Sequence, residues 1–100
     1  MNLRFEWDES KAASNLKKHK VSFDEASTIF SDPLAAIFDD EEHSSPQEQR
    51  ELIIGVSVKK RLLVTSFTER RPEVVRIISS RPATKHEQAD YEENIWRFKP

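Results

Sequence analysis

The sequence predicts a small α+β domain, and three observations support this. β-branched apolar runs fill the middle of the chain, whereas helix-capping patterns lie near both ends. The chain has 100 residues, of which 36% are hydrophobic, so it is long enough for one core and too short for two domains. It contains no cysteine, which excludes a disulfide scaffold. We therefore expect residues 1–100 to form a single domain.

The N-terminal third predicts one strand followed by two helices. Residues 3–7 alternate apolar and charged side chains, as a half-buried strand does, and Asp8 follows as a helix N-cap. Residues 9–19 predict a helix with a narrow apolar stripe and a basic exposed face. The capping-box pattern at residues 22–25 begins a second helix, which residues 32–33, an Asp-Pro pair, end.

The remainder predicts four strands and a last helix. A polar, acidic loop that we expect to be mobile covers residues 39–49, and a second capping box, Thr84 to Glu87, begins the C-terminal helix. Lys59 and Lys60 separate two strands with the spacing of a hairpin, and the next strand extends it into an antiparallel meander. The predicted order is βααββββα, with these four strands at residues 34–38, 51–58, 61–68 and 73–79.

Strict alternation along the last of these strands divides its side chains between two faces. It places Val74, Arg76 and Ile78 on one face, opposite Val75, Ile77 and Ser79. Both faces carry apolar residues, so we expect helices to cover one face and to shelter the other in part.

Composition and motifs exclude several function classes. The N-terminus lacks the apolar core of a signal peptide and no apolar run is long enough to span a bilayer, so a cytoplasmic protein is expected. Phosphate-binding glycine motifs are absent, because Gly55 is the only glycine. The three histidines have no metal-ligand spacing. We therefore expect neither a cofactor nor a metal.

Charge is segregated along the chain although the net charge is only −2. Basic side chains dominate residues 11–20 and 59–81, whereas acids dominate residues 39–51. The most informative cluster lies on two adjacent predicted strands and contains Glu69, Arg70, Arg71, Arg76, Ser79 and Arg81. Guanidinium groups bind phosphate and stabilise negative charge that develops on it. The other interpretation is a set of cross-strand Glu–Arg pairs on an ordinary surface.

Two further groups of residues have both a structural and a functional interpretation. Lys18 and His19 belong to a basic helix end, where cations favourably meet the helix dipole, and where His19 would also be available as a general base. Trp7 and Trp96 would either stack on nucleic-acid bases or belong to the core, and core positions are the more common place for such aromatic residues.

Nearly the whole chain resembles one family of proteins. The segments FEWDESKAASNLKKHKVSFDEASTIFSDP (5–33), LIIGVSVKKRLLVTSFTER (52–70) and VRIISSRPATKHEQADYE (75–92) are similar, in order and in spacing, to the BrnT-type ribonuclease toxins of bacterial type II toxin–antitoxin systems. Two departures concern glycines of the family pattern: Lys20 follows the KH pair, and Lys60 precedes the RLL block. After the KH pair, the left-handed helix cap that glycine favours must then be made by Lys20 or abandoned, whereas Lys60 affects the hairpin turn.

The resemblance implies a RelE-like fold and metal-independent cleavage of RNA through the ribose 2′-hydroxyl, which arrests translation. It also implies a BrnA-type antitoxin, which is a ribbon-helix-helix DNA-binding protein. The toxin–antitoxin complex would bind promoter DNA only through this antitoxin. Matched motif by motif, the catalytic candidates are Glu69, Arg70, Arg76 and His19, and the RNA-binding candidates are Lys18, Arg61, Ser79 and Arg81.

Two functional interpretations follow for this chain. In the first, arginines bind phosphate while Glu69 or His19 moves the proton, and this requires the arginines to converge on one accessible hollow. In the second, the chain is a catalytically inactive binding module that acts only as the toxin half of an autoregulatory DNA-binding complex.

Overall fold

The computed structural model describes residues 2–98, with side chains to residue 95, so the side chain of Trp96 lies outside the described residues. The described part contains five strands and three α-helices, together with short 3₁₀ turns at Ile29–Ser31 and Glu41–His43. The α+β class predicted from the sequence is confirmed. The elements in chain order are β1 (Arg4–Glu6), α1 (Glu9–His19), α2 (Phe23–Thr28), β2 (Ala36–Asp39), β3 (Glu51–Val56), β4 (Leu62–Arg71), β5 (Val74–Pro82) and α3 (Lys85–Phe98).

The five strands form one sheet in the order β1-β5-β4-β3-β2. The antiparallel meander predicted for the three central strands is confirmed, because β3 pairs with β4 and β4 pairs with β5 in antiparallel fashion. β1 lies parallel to β5 but pairs with it only over residues 74–76. Within residues 2–98, the rest of β5 therefore has no strand beside it on that edge.

Local capping chemistry begins each helix. Asp8 accepts hydrogen bonds from the amides of Ser10 and Lys11, as predicted for the N-cap of α1. Thr84 and Glu87 form the complete reciprocal box, with the Thr84 amide 2.9 Å from the Glu87 carboxylate.

The box predicted for α2 is only half formed. The Ser22 hydroxyl caps the amide of Glu25 at 3.0 Å, but the carboxylate of Glu25 turns into the protein toward Arg61 and Ser57. The Glu25 carboxylate therefore does not return to the Ser22 amide, as a full capping box requires. Glu25 is 4% exposed, and a buried carboxylate needs the opposite charge that Arg61 supplies.

Several predicted strand boundaries shift by a few residues. β2 begins at Ala36 and not at residue 34, because the amide of Leu34 is turned to the carboxylate of Asp32. β4 and β5 extend beyond the predicted ends, to Arg71 and Pro82. Three non-glycine residues adopt the left-handed conformation at the ends of elements: Lys20 (φ 59°), Lys60 (φ 65°) and Glu73 (φ 68°). Lys20 and Lys60, which stand where the family pattern has glycine, thus adopt the left-handed conformation that glycine favours.

The sheet has a helix layer on each face. α1 and α2 cover one face, where Phe23, Leu63, Phe67 and Ile77 form the larger core cluster. Trp7 packs edge-on against Phe23 with ring centroids 5.8 Å apart, which places it with the core. α3 covers part of the opposite face, where a smaller cluster is formed around Ile54, Val64 and Tyr91. The remainder of that second face is free of helix within the described residues.

A β-bulge in β5 overturns the predicted alternation of its side chains. Ser66 lies opposite Ser79 and Phe67 lies opposite Ile77, which leaves Ile78 as an extra residue without a partner. Directly opposed residues share a face of the sheet. Ser79 therefore lies on the face of Ser66, away from α1 and α2, and not beside Ile77 as strict alternation predicts.

Candidate functional site

The bulge brings three predicted site residues to one face of the sheet. Arg76 lies opposite Thr68, Ser79 opposite Ser66 and Arg81 opposite Val64. These three β4 residues alternate regularly and lie on the face away from α1 and α2. Without the extra residue Ile78, Arg76 would lie on the other face from Ser79 and Arg81.

The amide side chain of Asn15, from α1, fixes the backbone beside the bulge. Its Oδ1 accepts from the Ser80 amide at 3.0 Å, and its Nδ2 donates to the Ser80 carbonyl at 2.8 Å. Nδ2 also donates to the carbonyl of Val21 at 2.9 Å. Asn15 is 7% exposed and takes the place that a neighbouring strand would have beyond the end of β1. The bulge is thus held by a buried contact.

A hollow of about 400 Å³, which we call the bulge hollow, lies over this face. The acidic loop forms its outer wall and the sheet forms its floor. The polar and charged groups that line it are Asp40, Glu42, His43, Arg50, Ser66, Ser79 and Arg81.

A second hollow, of about 280 Å³, lies along α1 and is called the α1 hollow. Lys11, Lys18 and His19 line it, and no carboxylate does so among the described residues. Ile78 and Ser79 line both hollows. The structure thus brings four of the predicted site residues together around the bulge: Lys18, His19, Ser79 and Arg81.

Glu69 and Arg70 lie in a third hollow, of about 440 Å³, which we call the acidic hollow. Glu48 and Glu51 also line it, so carboxylates outnumber the single guanidinium. Burial raises the pKa of Glu51, and the nearby charges of Asp39 and Glu69 raise it further. This hollow is electrostatically unlike the surface around Ser79.

The expected convergence of the arginines on one hollow is wrong. Arg81 lines the bulge hollow, Arg70 lines the acidic hollow, and Arg76 lines none of the three. A second register shift, between Glu69 and Arg71, leaves Arg70 without a partner in the β4–β5 ladder and displaces it from the row of Arg76.

Each predicted arginine instead has an acid of its own. Arg76 lies 2.9 Å from Glu6, Arg81 makes two contacts of 2.7 Å with Glu87, and Arg70 lies 3.8 Å from Glu48. Arg61 binds Glu25 and also donates to the carbonyl of Lys20 at 2.9 Å. The side chains of Arg70, Arg76 and Arg81 are 51%, 35% and 39% exposed, and exposed pairs contribute only about 0–1 kcal/mol. These three remain accessible to a competing phosphate.

Sequence reasoning missed His43 and Arg50 as members of the bulge hollow. His43 belongs to the loop at residues 39–49 that was expected to be mobile, and Arg50 directly follows it. This segment contains the 3₁₀ turn and several hydrogen bonds of its own. The spacing Asp40-x-x-His43 is a signal that could have drawn attention to them, since an aspartate and a histidine three residues apart meet on one turn of helix.

The described residues contain neither a metal-binding cluster nor a membrane-spanning helix. Residues 2–98 contain no group of three or more histidine, aspartate and glutamate side chains arranged to hold a metal ion. In the same part of the chain, no helix is both long and apolar enough to cross a membrane.

The fold has a counterpart among solved structures. The 1.1 Å crystal structure of the Brucella abortus ribonuclease toxin BrnT matches this chain with a TM-score of 0.63 and 23% sequence identity. The match covers 84% of this chain and 100% of the Brucella chain. At this identity the similarity establishes the fold.

Sequence comparison identifies the family. No curated protein sequence matches the chain significantly. The family model described as the ribonuclease toxin BrnT of type II toxin–antitoxin systems matches residues 7–87, which include every predicted site residue. The chain therefore belongs to the BrnT family of ribonuclease toxins.

Proposed function

We propose that this chain is a metal-independent endoribonuclease that cleaves RNA through the ribose 2′-hydroxyl and thereby arrests translation in the cytoplasm. Family membership supports the toxin and ribonuclease assignment. The arginines do not meet in one hollow, so the proposal no longer depends on their convergence. It depends instead on the bulge at Ile78, which puts Arg76, Ser79 and Arg81 on one face of the sheet. The side chains of Arg76 and Arg81 are partly exposed, so a phosphate can compete for the two guanidiniums.

RNA would pass the β5 edge of the sheet at Ser79, which lines both hollows. Arg50 and Arg81 lie on one side of Ser79, in the bulge hollow, and Lys11 and Lys18 lie on the other, in the α1 hollow. Cations on both sides of a hydroxyl suit successive phosphates of one strand, because each guanidinium or ammonium neutralises a phosphate. Arg81 would also stabilise the negative charge that develops on the phosphate oxygens during cleavage.

The other predicted site residues divide by location. His19 lies beside Ser79 and is one candidate for proton transfer, whereas Glu69 lies with Arg70 in the acidic hollow. Arg76 would bind a phosphate further along the same face. RNA binding by Arg61 stays a prediction, since Glu25 and the Lys20 carbonyl already occupy its guanidinium.

We further propose that a BrnA-type antitoxin, a ribbon-helix-helix protein, neutralises the toxin, and that the fold is RelE-like. An acidic or amphipathic segment of the antitoxin would cover the cations around Ser79, because complementary charge both steers association and masks the site.

Incubation of purified protein with RNA in excess chelator tests the cleavage proposal. We expect fragments that end in a 2′,3′-cyclic phosphate and begin with a 5′-hydroxyl. Intact RNA from a preparation that arrests growth when expressed would contradict the proposal.

The substitution Arg76→Ala distinguishes the enzyme from the second interpretation, an inactive binding module. On the enzyme proposal this substitution abolishes growth arrest and leaves antitoxin binding unchanged, and Arg71→Ala, an exposed arginine on β4, serves as the matched control. Retained toxicity in Arg76→Ala, or loss of antitoxin affinity alone, would favour the binding module.

A further inference from the structure

We propose that His43 is the group that takes the proton from the ribose 2′-hydroxyl, and that Asp40 positions its ring. This inference rests on the proposed ribonuclease function and names a catalytic residue outside the set predicted from the sequence.

The geometry of the pair is that of a carboxylate-oriented imidazole. Both carboxylate oxygens of Asp40 lie 3.0 Å from Nδ1 of His43. The Asp40 side chain is 13% exposed, whereas that of His43 is 63% exposed. A carboxylate at Nδ1 favours the tautomer that carries its hydrogen there, which leaves the lone pair on Nε2. The basic nitrogen is thus the one that Asp40 does not occupy.

The backbone of the loop holds the pair in place. The Asp40 amide donates to the Arg50 carbonyl at 2.9 Å, which closes the loop at its base. The hydroxyl of Ser44 donates to the Asp40 carbonyl at 2.6 Å and accepts from the Arg50 amide at 2.8 Å. The 3₁₀ turn then brings His43 back over Asp40. The imidazole is therefore positioned before any substrate binds, as general-base catalysis requires.

The surroundings of His43 suit a phosphodiester. Arg50 and Arg81 line the same hollow, while Ser66 and Ser79 offer hydroxyl groups to the phosphate oxygens. Arg50 is paired with Glu48 and Arg81 with Glu87, but both guanidiniums are partly exposed, so a phosphate can compete for them. Asp40 and Glu42 are the carboxylates of the hollow, and Asp40 is already directed to Nδ1.

The two earlier candidates lack this combination. His19 lines a hollow without a carboxylate among the described residues, so no acid there fixes its tautomer. Glu69 shares its hollow with Glu48 and Glu51, whose charges oppose the approach of a phosphate. His43 alone among the three has both an orienting carboxylate and cations in its hollow.

The step balances without a metal or cofactor. Nε2 of His43 takes the proton from the 2′-hydroxyl, the 2′-oxygen forms a bond to phosphorus, and the bond from phosphorus to the 5′-oxygen breaks. The leaving 5′-oxygen takes a proton from water. The products are a 2′,3′-cyclic phosphate and a 5′-hydroxyl, and the imidazolium returns its proton to solvent.

Single-turnover cleavage of RNA by the full-length protein tests the role of His43. We expect His43→Ala to lower the cleavage rate about 10²–10⁴-fold, as loss of a general base does. Free imidazole should restore part of the rate. His19→Ala and Glu69→Gln are the comparison variants, and urea unfolding shows whether each is folded. A His43→Ala rate equal to wild type, or a folded His43→Ala that imidazole does not rescue, would overturn the proposal.

Asp40 is tested through a double-mutant cycle. Asp40→Asn should lower kcat with KM nearly unchanged, and it should have no further effect in the His43→Ala background, because a positioning residue acts only through the ring. Glu41→Gln, an exposed acid of the same loop that does not line the hollow, is the matched control and should keep the wild-type rate. Equal effects of Asp40→Asn in both backgrounds would contradict the positioning role. A wild-type protein that leaves RNA intact would overturn the ribonuclease function itself, whereas cleavage by wild type and by His43→Ala alike would overturn this inference only.

Discussion

Arg61 and Glu25, 36 residues apart in sequence, form an ion pair that joins the β3–β4 hairpin to α2. Nε of Arg61 donates to the carboxylate at 2.9 Å, and the Ser57 hydroxyl donates to the same carboxylate at 2.7 Å. The side chain of Glu25 is 2% exposed, so its charge depends on these partners. The Arg61 hydrogen bond is the main reason that the pKa of Glu25 lies below its ordinary value.

Arg61→Ala should destabilise the fold because it leaves the Glu25 carboxylate buried with only Ser57 as a partner. The expected loss is roughly 2–4 kcal/mol, which is below the full value for a buried pair because Arg61 is partly exposed. Urea unfolding measures it, with Arg71→Ala as the matched control. An unchanged free energy of unfolding together with weaker RNA binding would instead restore the RNA-binding role predicted for Arg61.

The single tyrosine offers a spectroscopic check on the packing of α3. The hydroxyl of Tyr91 donates to Asp32 at 2.6 Å, and burial together with this carboxylate raises the pKa of Tyr91 to about 12. The stabilisation from the protonated tyrosine is therefore complete below its ordinary pKa of 10.0 and is lost as the pH rises toward 12. Because Tyr91 is the only tyrosine, tyrosinate absorbance should show one transition near pH 12 in the folded protein and near pH 10 in urea. A native transition near pH 10 would show that the contact with Asp32 is absent.

Glu87 should make the fold sensitive to acid. Its hydrogen bond to Arg81, with the Thr84 amide as a further donor, lowers the pKa of Glu87 from 4.5 to about 2. Since the folded-state pKa is depressed, the stability from this carboxylate is complete above pH 4.5 and is lost as the pH falls toward 2. Glu87→Gln keeps a capping side chain and should flatten the loss of stability in this range. Glu92→Gln, which replaces an exposed acid on the same helix, should lose stability between pH 4.5 and 2 as the wild type does. The same loss of unfolding free energy over this range in both variants would contradict the prediction.

The parts of the fold that the sequence predicts correctly depend on neighbouring residues. Asp8 and the box of Thr84 and Glu87 begin helices through groups within three residues of one another, and their side chains need no tertiary partner to do so. The bulge at Ile78 could not be predicted in this way, because the backbone beside it is hydrogen-bonded by Asn15, 65 residues away from Ser80. The face of Ser79 was therefore assigned incorrectly, and the convergence of the arginines was expected where the structure separates them.

Asn15 gives a direct test of how the bulge is held. Asn15→Ala leaves buried amide and carbonyl groups at Ser80 and Val21 without partners, so we expect a loss of roughly 2–4 kcal/mol in the free energy of unfolding. Hydrogen exchange at the Ser80 amide should become faster in the folded variant, because that amide loses its acceptor. Ser14→Ala, at the exposed neighbouring position, is the control. Unchanged protection at Ser80 in a folded Asn15→Ala would show that the bulge needs no support from α1.

Lys20 provides the opposite case, a substitution that should stabilise the protein. Lys20 ends α1 with φ 59° and ψ 32°, and its amide donates to the Leu16 carbonyl, which is the geometry of a left-handed helix cap. A side chain with a Cβ is strained there, whereas glycine is not, so Lys20→Gly should raise the free energy of unfolding by about 1 kcal/mol. Lys17→Gly, at an exposed position inside the same helix, should lower it by about 1 kcal/mol, because glycine there loses helix propensity. Urea unfolding of the two variants compares the same replacement in two backbone conformations. Equal destabilisation by both would mean that the backbone at Lys20 is not left-handed in solution.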